Sequence, residues 1–139
     1  MNKPGAAAKA KIETLPVLLI EDEATVVAFV RAALERSGYR VEVANSALEG
    51  LRLLQSHKYW GVISDMRTPG GISGAEVLAW LKHNQPQMTA RLLFITGDLA
   101  NEETAAILKT SGAPFIEKPF RVKELLVAVE RILGRGGEI

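Results

Sequence analysis

The 139 residues contain no cysteine, which excludes disulfides and thiolate metal centres and fits a reducing, cytoplasmic setting. Neither sign of charge dominates. The formal net charge is +1 and no long basic run occurs, so there is no electrostatic footprint for direct contact with nucleic acid. No apolar run approaches the length of a membrane span. The opening stretch "MNKPGAAAKAKIETLP" is interrupted by Lys9 and Lys11, so it lacks the unbroken apolar segment of a signal peptide. Residues 1–15 read as a tail or linker. Low-complexity sequence is missing as well.

What is present is a soluble globular composition, 47% hydrophobic and 24% charged, on a chain of one-domain length. From Pro16 onward, short apolar runs alternate with helical patterns five times. The runs are 17–20, 40–44, 60–64, 91–96 and 114–117. The first helix has a stripe of Val26, Val27, Val30, Ala33 and Leu34, stopped by Gly38. The second opens on Ser46 and Glu49 in capping-box spacing, with Leu48, Leu51 and Leu54 as its core face. The third opens on the same box, Ser73 and Glu76, and buries Val77, Leu78 and Leu81. A weaker helix at about 100–110 closes at Gly112. The last has the clearest stripe: Val122, Leu125, Leu126, Val129, Ile132 and Leu133, with Gly134 after it.

Strict βα alternation predicts a parallel sheet covered by helices on both faces. Five units are too few to close a barrel, so the sheet is open. Runs 17–20, 62–63 and 92–95 are continuously apolar, as central strands should be. Run 40–44 alternates, and run 114–117 is short and begins at a proline, so both suit edges. These features predict the strand order 2-1-3-4-5.

That order collects the polar strand ends along one edge, where ligands of open α/β sheets bind. Glu21 and Asp22 end the first strand, Asp65 the third, Thr96 the fourth and Lys118 the fifth. Three anions so close repel one another unless a cation joins them. With oxygen donors only, Mg²⁺ is the natural ion, and Asp65 is expected to pair with it and with Lys118. A carboxylate can attack phosphorus to give an aspartyl phosphate. The metal would neutralise the transferred group, while Lys118 and the Thr96 hydroxyl would hold its oxygens. Gly97 would keep side-chain bulk away from the phosphoryl oxygen that Thr96 holds.

With these pieces in place, residues 16–134 resemble a response-regulator receiver domain of two-component signalling. The resemblance rests on the acidic pair in "LLIEDE", Asp65 in "DMRTPGG", Thr96 in "FITGD" and Lys118 in "EKPF". It implies a flavodoxin-like doubly wound (βα)5 three-layer sandwich. It also implies phosphorylation of Asp65 by a histidine kinase or phosphotransfer protein. The Mg²⁺ would be held by Asp22, Asp65 and the Arg67 main-chain carbonyl, with Glu21 acting through water. Thr96 and Phe115 would form a switch acting on a downstream protein target, and a cis peptide would precede Pro119. Such a domain catalyses only its own phosphorylation and dephosphorylation, and works as a monomer or weak homodimer.

Two departures stand out. Glu21 occupies a position where aspartate is commoner, and the loop "TPGGISG" is one residue longer than the usual form. That loop, with "ITGD" and "PFIEKPF", is similar to receivers attached to hybrid histidine kinases. An alternative is a pseudo-receiver, an interaction module that is never phosphorylated, but the intact acidic and lysine positions speak against it. A phosphatase of the haloacid-dehalogenase type needs an aspartate two residues after its nucleophile, where this chain has Arg67. Arg67 and Asp98, each two residues past a strand end, could meet over the mouth of the pocket as a bidentate pair. Residues 135–139 read as a second tail.

Overall fold

In the computed structural model, residues 15–68 and 73–134 are described. The expectations for the N-terminal tail before Leu15, for the extra residue within "TPGGISG" and for the 135–139 tail lie outside them. Five strands, β1 (Val17–Ile20), β2 (Val41–Ala44), β3 (Gly61–Asp65), β4 (Leu92–Thr96) and β5 (Phe115–Glu117), alternate with five helices. The helices are α1 (Ala24–Arg36), α2 (Ala47–Ser56), α3 (Gly74–Asn84), α4 (Glu102–Ser111) and α5 (Val122–Ile132). All strand pairs are parallel, in the order β2-β1-β3-β4-β5. The open doubly wound sheet expected from the alternation is therefore what forms. A 3₁₀ turn at Pro86–Arg91, absent from the expectation, leads into β4.

The core divides into two layers, one on each face of the sheet, because successive strand residues point to opposite sides. Leu18, Ile20, Val62 and Phe94 meet Leu54, Val77, Leu81 and Leu108 from α2, α3 and α4. Val17, Leu19, Ile63 and Ile95 meet Val30, Leu34, Leu125 and Val129 from α1 and α5. Both faces of β1, β3 and β4 are buried, which is why those runs carry no polar alternation.

Two helix faces differ from expectation. Leu48 is 42% exposed, because α2 approaches the sheet through Ala47, Gly50 and Leu54 instead. A Cβ on Gly50 would overlap the Ile20 side chain, so this small-residue face is what lets the helix lie so close. Val122 is 39% exposed: it sits in the first turn of α5, while Leu125, Ala128 and Val129 carry the buried face.

Helix ends follow the sequence signals with one variation. Ser73 and Glu76 form the reciprocal box at α3, where the Ser73 N–H donates to the Glu76 carboxylate and Ala75 N–H donates to Ser73 Oγ at 3.2 Å. At α2, Ser46 Oγ accepts from Glu49 N–H at 3.1 Å, but the Glu49 carboxylate reaches one residue further back, to Asn45 N–H at 2.6 Å. Gly38 and Gly112 end α1 and α4 at φ 93° and 67°, a left-handed conformation that favours glycine.

At the end of the sheet remote from the polar strand ends, α5 is fastened to the framework. Trp60 Nε1–H donates to the Leu133 carbonyl at 2.8 Å and the Tyr39 hydroxyl donates to the Gly134 carbonyl. The Arg91 guanidinium lies 4.3 Å from the centre of the Trp60 ring and donates to the Trp60 carbonyl.

Candidate functional site at the carboxyl edge of the sheet

The parallel register brings the expected residues together. Ile20 pairs with Ser64, Asp65 with Ile95, and Thr96 with Glu117, so the next residues on β1 and β5 flank Asp65. One carboxylate oxygen each from Glu21, Asp22 and Asp65 falls within a 4.8 Å cluster. Glu21 is fully buried, Asp65 nearly so, and Asp22 is exposed. Asp65 Oδ1 accepts from Arg67 N–H at 3.1 Å, and Asp65 Oδ2 accepts from Lys118 Nζ at 2.9 Å. The acidic residues and Lys118 expected at one site thus share it.

Glu21 is the electrostatic oddity. Its Oε2 accepts from Glu23 N–H at 3.0 Å and from Lys118 Nζ at 3.4 Å. Its Oε1 lies 3.2 Å from the Lys118 ammonium but has no hydrogen bond, although it is buried. Burial raises the carboxyl pKa above its ordinary value and nearby Asp65 adds to this. The Glu23 backbone hydrogen bond and Lys118 pull the other way. A buried anionic oxygen without a hydrogen bond, beside two further carboxylates, is a site that suits a hard cation. The all-oxygen donor set fits Mg²⁺.

Burial works against the Lys118 ammonium, but hydrogen bonds to Glu23 and Asp65, with the charges of Asp65 and Glu21, outweigh it and hold its pKa above the ordinary lysine value. Its contact with Glu23 Oε1 is the shortest of its ion pairs, at 2.7 Å. Sequence reasoning missed Glu23. The third acid of "EDE", next to the helix start, was the available signal. The peptide bond between Lys118 and Pro119 is cis, as the resemblance implied.

Thr96 is buried at the end of β4, its hydroxyl accepting from Asp98 N–H at 3.2 Å. Phe115 is 41% exposed and belongs to neither core layer. A Cβ at Gly97 would rest on the Lys118 side-chain stem at 3.5 Å. Gly74 was also missed, and it shapes the site from below. A Cβ there would stand 2.7 Å from the Phe94 ring, 3.1 Å from Met66 Cα and 3.2 Å from the Asp65 carbonyl oxygen. Only glycine lets the start of α3 press against the end of β3. Arg67 and Ser73 form an antiparallel bridge across the base of the intervening loop, and Thr68 Oγ1 accepts from Ala47 N–H at 2.8 Å, tying that loop to α2.

Fold and site define the class: an open, doubly wound α/β sheet with an acidic cluster and a lysine at its switch point. Within that class, residues 17–130 match the family model described as the response regulator receiver domain, and the chain belongs to that family. It is 30% identical over 121 residues to the uncharacterized transcriptional regulatory protein YkoG of Bacillus subtilis, covering 87% of this chain and 52% of the relative. It is 29% identical over 119 residues to the response regulator ArlR of Staphylococcus saprophyticus, covering 86% and 52%. The chain therefore spans about half the length of these curated relatives.

Solved structures agree. A CheY-like response-regulator receiver domain protein from Methanospirillum hungatei superposes with a TM-score of 0.75 at 26% identity, over 88% of this chain and 95% of that one. The signal receiver domain of a signal transduction histidine kinase from Syntrophus aciditrophicus gives 0.75 at 28% identity, over 86% and 89%. Receivers of both kinds, from regulators and from kinases, are thus similar to this chain. Among the described residues, no helix is long and apolar enough to cross a membrane.

Proposed function

We propose that residues 16–134 act as a phospho-accepting receiver in two-component signalling, with Asp65 as the acceptor. The observation that carries this reading is the 2.9 Å contact of Lys118 Nζ with Asp65 Oδ2, beside a buried Glu21 oxygen that lacks a hydrogen bond. In the reaction, an Asp65 carboxylate oxygen attacks the phosphorus of a phosphohistidine on a partner kinase or phosphotransfer protein. An O–P bond forms and the N–P bond breaks. The electron pair stays on the imidazole nitrogen, which takes up a proton.

Asp22, Asp65 and the Arg67 main-chain carbonyl would hold Mg²⁺, with Glu21 acting through water. When bound, the ion supplies charge neutralisation at the transferred group. The chain's own groups do the rest. Arg67 N–H orients Asp65 through its 3.1 Å hydrogen bond. Lys118 offers an ammonium to a phosphoryl oxygen, and the Thr96 hydroxyl, now held by Asp98 N–H, is the donor for another. Drawing Thr96 toward the phosphoryl group would free space for Phe115 to change rotamer, altering the surface read by a downstream protein.

The direct test is a mass measurement after incubation with acetyl phosphate and Mg²⁺. The wild type should gain one phosphoryl unit and Asp65→Asn should gain none. Equal labelling of both would remove Asp65 from its role. No gain in either would leave a non-phosphorylated interaction module.

A further inference from the structure

We infer that Glu23 is a positioning residue that competes with the incoming phosphoryl group for the Lys118 ammonium. This role rests on the phospho-acceptor reading above.

Glu23 occupies the N-cap position of α1, where a side chain commonly accepts a backbone N–H of the first turn. It makes no such cap, and the first turn holds no acidic residue. Its carboxylate points instead to Lys118 Nζ at 2.7 Å. The helix start gives up a capping interaction in favour of this contact.

An ammonium has three N–H donors. Lys118 spends them on Glu23 Oε1 at 2.7 Å, Asp65 Oδ2 at 2.9 Å and Glu21 Oε2 at 3.4 Å. None remains for a phosphoryl oxygen, so one acceptor has to release. Glu21 is fully buried in the carboxylate cluster, so exposing it is costly, and Asp65 is itself the seat of the phosphoryl group and stays in place. Glu23 lies outside the cluster, and its side chain is 55% exposed. It lines, with Lys118, Thr25 and Val26, an open groove of about 490 Å³ into which its carboxylate can swing and be hydrated. Glu23 is therefore the acceptor that yields, and its contact sets how readily Lys118 becomes available. Glu23 N–H also donates to Glu21 Oε2 at 3.0 Å, which keeps the backbone in place while the side chain moves.

The test is a titration with beryllium fluoride, a tetrahedral anion that mimics the bound phosphoryl group, in saturating Mg²⁺. Wild type, Glu23→Gln and Glu23→Ala are followed through the side-chain ¹H–¹⁵N signal of Lys118. Glu23→Ala should bind the anion about two- to five-fold more tightly, the factor that a partly exposed ion pair is worth. Glu23→Gln, which keeps an acceptor without the charge, should fall between. The Lys118 signal of Glu23→Ala should already be displaced before the anion is added. Neither substitution removes a helix cap, so both proteins should fold.

Equal affinities in all three proteins, or an unmoved Lys118 signal in Glu23→Ala, would overturn the role. Mass gain on acetyl phosphate in the wild type alongside equal affinities would overturn this role alone. No mass gain in the wild type would overturn the phospho-acceptor reading and this role with it.

Discussion

Arg67 Nη1 lies 3.1 Å from Asp98 Oδ2, joining across the mouth of the site the side chains two residues beyond Asp65 and Thr96. The contact is a single hydrogen bond rather than the bidentate pair that the two strand ends suggested. Both partners are about half exposed, so the pair is worth at most about 1 kcal/mol of stability. If Asp65 is phosphorylated as proposed, the larger consequence would be kinetic, a pair at the mouth of the site hindering the approach of water to the aspartyl phosphate. Arg67→Ala and Asp98→Ala should each shorten the phosphoryl lifetime, and the double variant should be no faster than the faster single one. Dephosphorylation rates of the four proteins check this, and equal rates would show that the pair is no lid.

Metal affinity should divide the two adjacent acids. Asp22→Ala should weaken Mg²⁺ binding far more than Glu21→Ala, if the first ligates directly and the second through water. Calorimetric titration of both variants decides it. An inverted order would make the buried Glu21 the direct ligand.

Glu21 should also leave a mark on stability without metal. Burial raises its carboxyl pKa in the folded state above the ordinary value of 4.5. A raised carboxyl pKa means that the folded form binds the proton more tightly than the unfolded form. The contribution is then greatest below pH 4.5 and is lost as pH rises through the folded value. Glu21→Gln should therefore gain stability relative to wild type as pH rises from 4.5 toward neutrality, in metal-free buffer. Denaturant midpoints of the two proteins across that range measure the difference. A constant difference would contradict it.

Gly74→Ala tests whether the close seat of α3 fixes Asp65. The new methyl would crowd Phe94, Met66 Cα and the Asp65 carbonyl, and overpacking of this kind costs about 1–3 kcal/mol. A lower melting temperature together with weaker Mg²⁺ binding is the expected result. A loss of stability with unchanged metal affinity would separate the packing of α3 from the geometry of the site.

Phosphorylation should move amide signals near Thr96, Phe115 and α4 more than those of α1. Helix α4 buries only Thr104 and Leu108, so few contacts resist its displacement. Shifts confined to α1 would contradict this.

Much of this architecture is written in short-range patterns. Apolar runs bounded by turn residues placed β1 and β3 to within a residue, and the continuous burial of Leu18, Ile63 and Phe94 is why those runs identified central strands. The site was legible for the same reason: once strand order is known, Asp65 and Lys118 must converge. The errors came where facing surfaces decide. Leu48 obeys helical periodicity, yet the fit of Gly50 against Ile20 rotates it outward. Gly74 and Glu23 act through contacts with residues distant in sequence, which no local pattern encodes. The 3₁₀ turn at Pro86–Arg91 lacks an apolar period of its own.

The fastening of α5 by Trp60 and Tyr39 has a mechanical meaning. The helix is a beam clamped at Leu133 and Gly134, while the opposite end follows Lys118 and the edge strand β5. A displacement applied at the loaded end of such a beam produces rotation about the clamp instead of sliding along the sheet. Under that constraint a displacement would be largest at the exposed Val122 and smallest toward Leu133, where Trp60 and Tyr39 hold the chain.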